Sequence, residues 1–219
     1  GDCAASIRGS YEGIVDLDLY FAKSRLADEM QATVPTIVED GKLFFKRARH
    51  PLIDKKKVVP IDLRLGEAFD TLVITGPNTG GKTVALKTLG LLTLMAACGM
   101  MLPCGEGSCV PVFDRVLADI GDEQSIEQSL STFSAHITNI ISILKVAGPR
   151  SLVLTDELGA GTDPVEGAAL AVAILEELRK KGALVAATTH YAELKMYALT
   201  TPGVENGSCE VGVGALSPP

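Results

Sequence analysis

The chain has 219 residues, of which 47% are hydrophobic and 21% charged, enough length and apolar content for one domain of ordinary to large size, which excludes a disordered segment. A net charge of -7 excludes a surface that is basic throughout, so any contact with nucleic acid must come from a local patch, a segment outside this chain or a partner subunit. Five cysteines, an odd count without an export signal, favour reduced thiols and a cytoplasmic setting.

In chain order, residues from about Tyr11 to Gln31 read as a helix carrying Ile14, Leu17, Phe21 and Met30 among charges, broken by Val34-Pro35. This helix and the opening Gly1-Asp2-Cys3, which lacks both an initiator Met and a signal peptide, are expected to be the tail of something larger. Lys42 to Lys46 and Val58 to Leu65 read as strands of a small antiparallel sheet around the loop Arg47-Ala48-Arg49-His50-Pro51. Thr71 to Thr75 reads as a buried strand, and Thr83 to roughly Met101 as a helix. The uncharged stretch Thr88 to Gly105 is long enough to raise a membrane span, but Gly90 and Gly99 interrupt it, and an apolar helix buried against a sheet accounts for it; no membrane partner is expected. Cys109 to Leu117 reads as extended, and Ile137, Ile140, Ile141 and Leu144 mark a further helix. Ser151 to Thr155 and Ala183 to Thr188 read as buried strands. Between them a helix opens on Asp163, with Pro164 at its first position and Glu166 three residues after the cap, and closes at Lys180-Lys181-Gly182. Strands alternating with helices predict an α/β fold with a mostly parallel sheet covered on both faces.

The feature that carries chemistry is Gly76-Pro77-Asn78-Thr79-Gly80-Gly81-Lys82-Thr83, a G-x-x-x-x-G-K-[ST] loop between a strand and a helix. Glycines let backbone N–H groups converge on phosphate oxygens, the helix N-terminus adds its dipole, Lys82 reaches the β- and γ-phosphates, and Thr83 can hold Mg²⁺. A plain strand-turn-helix is the competing reading. A second element is needed, and Leu152-Val153-Leu154-Thr155-Asp156-Glu157 supplies it: Asp156 would complete the Mg²⁺ shell with Thr83, and Glu157 would act as general base on water. The alternative is a solvated acidic pair. His190, ending the strand at Thr188-Thr189, sits where a γ-phosphate sensor belongs, or is a strand-end histidine without that task. Ser129-Leu130-Ser131-Thr132-Phe133-Ser134 either caps a helix or offers donors to a phosphate across a dimer interface. His50 and His136 have no comparable context and read as structural. Cys104 and Cys109 could be half a metal site but lack a second Cys/His pair, and read as buried small residues.

With these residues in view, the chain resembles the ATPase domain of the MutS family, in particular its bacterial type-two branch. Four motifs carry the likeness in order and spacing: residues Gly76 to Thr83, Ser129 to His136, Asp156 to Pro164, and Thr188-Thr189-His190-Tyr191. The resemblance covers about residues 10 to 208. It implies a P-loop fold of ABC-ATPase type that binds ATP with Mg²⁺ and dimerises, with Ser131 and Thr132 of one subunit approaching the nucleotide of the other. It also implies that residues 1–38 end a helical lever region and that residues 39–219 form the ATPase domain, truncated at its C-terminus. In this family ATP state is coupled to clamping on DNA, and the type-two branch is associated with branched recombination intermediates and, in some bacteria, with collided ribosomes.

Some of the family's features are missing. The Phe-x-Glu motif that reads mismatches is absent, so mismatch recognition is not expected of this chain. Val58-Val59-Pro60 stands where repair members carry an aromatic against adenine, and the tail from Glu210 to Pro219 diverges, so the closing strands and the nuclease-like domain of the branch are not expected within these residues. Two other functions compete: a nucleotide-binding module that does not hydrolyse, which retained Glu157 opposes, and a small-molecule P-loop kinase, which the lack of a lid-type arginine cluster opposes.

Overall fold

The computed structural model describes residues 3–77, 81–121 and 129–208. Among the described residues the elements run α1 (Cys3–Met30), β1 (Thr36–Val38), β2 (Leu43–Ala48), β3 (Ile61–Leu65), β4 (Thr71–Thr75), α2 (Lys82–Ala97), β5 (Cys109–Pro111), β6 (Arg115–Asp119), α3 (Ser129–Val146), β7 (Ser151–Thr155), α4 (Pro164–Lys180), β8 (Leu184–Thr188), α5 (Ala192–Thr200) and β9 (Val204–Ser208). The main sheet runs β6-β7-β8-β4-β9 with every pairing parallel. All five strands therefore end on one edge, where open α/β sheets bind ligands.

Period-two alternation sends successive residues of each central strand to opposite faces. Leu72, Ile74, Leu152, Leu154 and Ala186 join one core with Leu86, Leu89 and Leu92 of α2. Val73, Val153, Val185 and Ala187 join the other with Ala171, Leu175 and Leu178 of α4, Ile140 and Ile143 of α3, and Leu194 of α5. The first core continues into Leu43, Phe45, Leu63 and Leu65 of the small sheet. Helix α2 is thus sandwiched between two sheets, which is why it is apolar nearly all round. No helix among the described residues is long and apolar enough to cross a membrane.

The small sheet departs from the purely antiparallel one expected. Its order is β1-β5-β2-β3; β2 pairs antiparallel with β3 and β5, while β1 pairs parallel with β5. The extended run from Cys109 is two strands in two sheets: after Pro111 the chain crosses over, and the Asp114 amide is taken by the Arg150 carbonyl at 2.8 Å, starting β6 beside β7. Helix α4 opens as its sequence indicates, with Asp163 Oδ1 accepting from the Val165 and Glu166 amides at 3.0 and 3.3 Å.

Helix α1 is anchored near its C-terminus. Lys23 Nζ donates to the Cys98 carbonyl at 2.7 Å, and Arg49 grips Gln31, whose φ of 51° turns the chain, through its carbonyl at 2.8 Å. Ile7, Tyr11, Ile14, Leu17 and Phe21 are exposed along the rest of it.

Candidate functional site

Strand β4 delivers Gly76 and Pro77 to the edge where the parallel strands end, and Gly81, in the left-handed region at φ 85°, opens α2. Lys82 is the first helical residue. Its side chain is only 2% exposed, and Nζ donates to the Gly76 carbonyl at 2.8 Å and the Thr189 carbonyl at 3.3 Å. A buried ammonium requires such acceptors, and these two link the loop's first residue to the end of β8. Asn78, Thr79 and Gly80 lie outside the described residues.

Two strands over, β7 ends at Thr155 and Asp156 follows, 8% exposed. Asp156 Oδ1 accepts from Thr83 Oγ1 at 3.2 Å and from Thr188 Oγ1 by a short hydrogen bond. The Thr188 hydroxyl in turn accepts from the Glu157 amide at 2.7 Å, and the Thr188 carbonyl accepts from Leu158 N at 3.0 Å. Glu157 is held at φ 50°, a conformation that costs a non-glycine residue roughly 1–2 kcal/mol and persists only where its surroundings impose it. Thr188, which has no role of its own in the sequence reading, holds the turn through its bonds to Asp156, the Glu157 amide and Leu158 N. A hydroxyl at the last position of a buried strand, facing an acidic pair two residues past the neighbouring strand's last apolar residue, is the signal that could have identified it.

The turn after the carboxylates is fixed by Gly159 at φ 86°: a Cβ there would come within 2.3 Å of the Gly167 carbonyl oxygen. Tyr191 closes the turn, its hydroxyl donating to the Gly159 carbonyl at 2.9 Å. Burial, then the neighbouring Asp163, Glu157 and Glu193 carboxylates, push this phenol above its ordinary range, so it stays a donor. His190 lies on the same edge, between Thr189 and Tyr191, exposed and with its ring 4.3 Å from that of Tyr191. Ser131 and Thr132 fall in the first turn of α3, with side chains outside the described ones.

The donor set available to a metal is the Thr83 hydroxyl and the Asp156 carboxylate, 3.2 Å apart. That fits Mg²⁺, which takes one or two protein oxygens and completes its shell with phosphate and water. Among the described residues no group of three or more His, Cys, Asp or Glu could hold a metal. Cys104 and Cys109 are both buried, the first beside Thr33 and the second against the Lys42 carbonyl.

The glycine-turned loop closed by the buried Lys82 thus stands opposite the buried Asp156, whose carboxylate is bonded to the Thr83 hydroxyl. The profile of MutS domain V, a P-loop ATPase fold, matches residues 72–214. The chain belongs to the MutS family. Among MutS relatives it is 58% identical over 215 residues to an Endonuclease MutS2 of Agathobacter rectalis, covering 98% of this chain and 27% of that protein. Proteins of the same description from Clostridium botulinum (strain Loch Maree / Type A3) and Alkaliphilus oremlandii are 60% and 61% identical over 203 residues, 93% of this chain and 26% of theirs. The chain thus spans about a quarter of the length of these MutS relatives, and it is an ATPase domain of a MutS-like protein.

Proposed function

We propose that this domain binds and hydrolyses ATP as half of a homodimer, within a MutS-type protein that acts on branched or recombination-intermediate DNA. The observation that supports it best is the convergence, on one sheet edge, of buried Lys82, the Thr83–Asp156 hydroxyl–carboxylate pair and Glu157. Residues Gly76 to Thr83 cradle the phosphates through backbone amides, and the Lys82 ammonium neutralises β- and γ-oxygens. Thr83 and Asp156 would hold Mg²⁺, which would supply positive charge against the phosphate oxygens. Glu157 accepts a proton from the attacking water at its carboxylate, and His190 donates a hydrogen bond to the γ-phosphate or to that water.

Ser131 and Thr132 of one subunit meet the nucleotide of the other, which makes hydrolysis a property of the pair. The α1 helix is the end of a lever that carries the nucleotide state toward DNA-contacting parts outside this chain.

The test is ATP hydrolysis against protein concentration, in the natural chain and in Glu157→Gln. Specific activity should rise with concentration. The variant should bind ATP normally while turning over slower by roughly 10² to 10⁴, the contribution of a general base. Normal turnover in Glu157→Gln would remove that residue from the chemistry. ATP binding without turnover at any concentration would leave a nucleotide-gated dimerisation module.

A further inference from the structure

Asp119 ends β6, one strand away from the candidate site, and is 6% exposed and in register with Thr155 of β7. Its carbonyl accepts the Asp156 amide at 2.8 Å, so the β6 backbone is bonded directly to the turn that carries the two candidate carboxylates. A carboxylate buried this deeply must be matched by donors. Helix α3 brings two: His136 Nδ1 stands 2.9 Å from Oδ2, and Asn139 Nδ2 donates to Oδ1 at 2.8 Å and to the Ala118 carbonyl at 3.1 Å. Residues three apart share a helix face, so one face of α3 grips the strand end. An ionised carboxylate only accepts, which places a proton on Nδ1.

Two close contacts complete the seat. A Cβ on Gly121 would fall 2.9 Å from His136 Cε1 and 3.1 Å from Nε2, so the ring lies on bare backbone. A Cβ on Gly161 would fall 3.2 Å from that of Phe133. The first turns of α3 are therefore fastened to the Asp156–Gly161 segment directly through Phe133 and, by way of Asp119, through His136 and Asn139.

We infer that Asp119, His136 and Asn139 form a positioning unit that fixes the first turns of α3 against the Asp156–Glu157 turn, and that His136 thereby governs turnover without touching the nucleotide. This rests on the ATPase reading above. Ser131 and Thr132 precede His136 by four to five residues, about 6–8 Å along the helix axis, so a helix released from Asp119 displaces them and loosens the Asp156 backbone together. The His136 side chain is 31% exposed, so packing alone does not hold it, and the hydrogen bond does.

The discriminating pair is His136→Ala, which removes the donor, and His136→Asn, whose amide nitrogen hangs from Cγ as Nδ1 does and can restore it. In the full 219-residue chain, nucleotide affinity with a fluorescent ATP analogue, kcat, KM and hydrogen exchange across residues 129–140 are compared. His136→Ala should lower kcat roughly tenfold or more, with affinity within about twofold, and speed exchange; His136→Asn should return kcat to within about threefold and exchange to normal. Unchanged kcat and exchange in His136→Ala overturn the inference. So do equal losses in the two variants, which would assign the effect to ring packing, and affinity falling in step with kcat, which would assign it to misfolding. A natural chain that does not turn over counts against the ATPase reading instead. Exchange then decides the positioning: fast in the alanine variant and normal in the asparagine variant sustains it, and no difference refutes it.

Discussion

Gly159 is the position where backbone geometry and the candidate chemistry meet most closely, and Gly159→Ala measures the coupling. Two costs add. The left-handed φ of 86° costs an alanine roughly 1–2 kcal/mol. The added Cβ would also sit 2.3 Å from the Gly167 carbonyl oxygen and 2.9 Å from its carbon, backbone atoms that move only with the start of α4, and overpacking of that kind costs roughly 1–3 kcal/mol. Gly41 has a similar φ of 80° with nothing within 4 Å, so Gly41→Ala carries the first cost alone and is the internal control. The two variants should therefore differ by about 1–3 kcal/mol, which at a urea m-value of roughly 2 kcal/mol/M is a midpoint difference near 1 M. The chain has no tryptophan, so unfolding is followed by far-UV circular dichroism. ATP turnover should fall in Gly159→Ala and not in Gly41→Ala, because Glu157 is two residues away. Midpoints agreeing within about 0.2 M, inside extrapolation error, would refute the claim that the Gly159–Gly167 approach leaves no room for a side chain.

Three further outcomes are expected. Lys82→Ala should weaken ATP binding by roughly 10- to 150-fold, the value of one lost charge-assisted contact, as read by titration with a fluorescent analogue; unchanged affinity would dismiss the phosphate-loop assignment. Arg179, whose Nε and Nη2 donate to Asp70 at 2.7 and 3.2 Å and whose Nη2 also donates to the Pro202 carbonyl at 2.7 Å, ties α4 to the start of β4 and the turn before β9. Arg179→Met should cost about 1–2 kcal/mol in denaturant unfolding after allowing for solvent screening at the exposed edge of Asp70, and additivity with Asp70→Asn would contradict the pairing. Burial, then the Lys87 ammonium, holds the His50 imidazole below its ordinary range. The folded state therefore resists a proton that the unfolded chain accepts, so this contribution is intact above the unfolded value of about 6.5 and is lost as pH falls below it. The stability of the natural chain should drop more steeply than that of His50→Gln between about pH 7 and 5, and parallel curves would rule the linkage out.

Much of this architecture is legible in the sequence because local physics dictates it. The apolar runs Thr71–Thr75 and Ser151–Thr155 are strands with the expected bounds, and Asp163 caps α4 as its spacing from Pro164 and Glu166 requires. What is not legible is long-range. Nothing in Cys109 to Leu117 announces that Pro111 ends a strand of one sheet and Arg115 begins a strand of another, because the choice of sheet depends on β2 and β7, not on neighbours in sequence. Strand β9 carries Asn206 and Gly207, poor strand formers, and becomes a strand by lying beside β4. His136 reads as a plain structural histidine until Asp119, 17 residues earlier, is placed beneath it. The Asp156-Glu157 pair stands out in the sequence after its apolar strand, whereas the Thr188 hydroxyl bonded to both residues does not, since a threonine ending a strand is ordinary until its partner is known.

Helix α1 gives experiments on this chain a second chemistry to separate from the first. Ile7, Ile14 and Phe21 recur every seven residues and are 67%, 65% and 62% exposed, a seam of the kind that zips helices together. Under the proposed dimer, pairing along that seam would be indifferent to nucleotide and unchanged in Lys82→Ala, whereas pairing across the nucleotide site would need nucleotide and would weaken in Lys82→Ala. Replacing the three seam residues by glutamine would remove that route, so that a response of oligomeric state to ATP, and not association as such, would test the proposed dimer face.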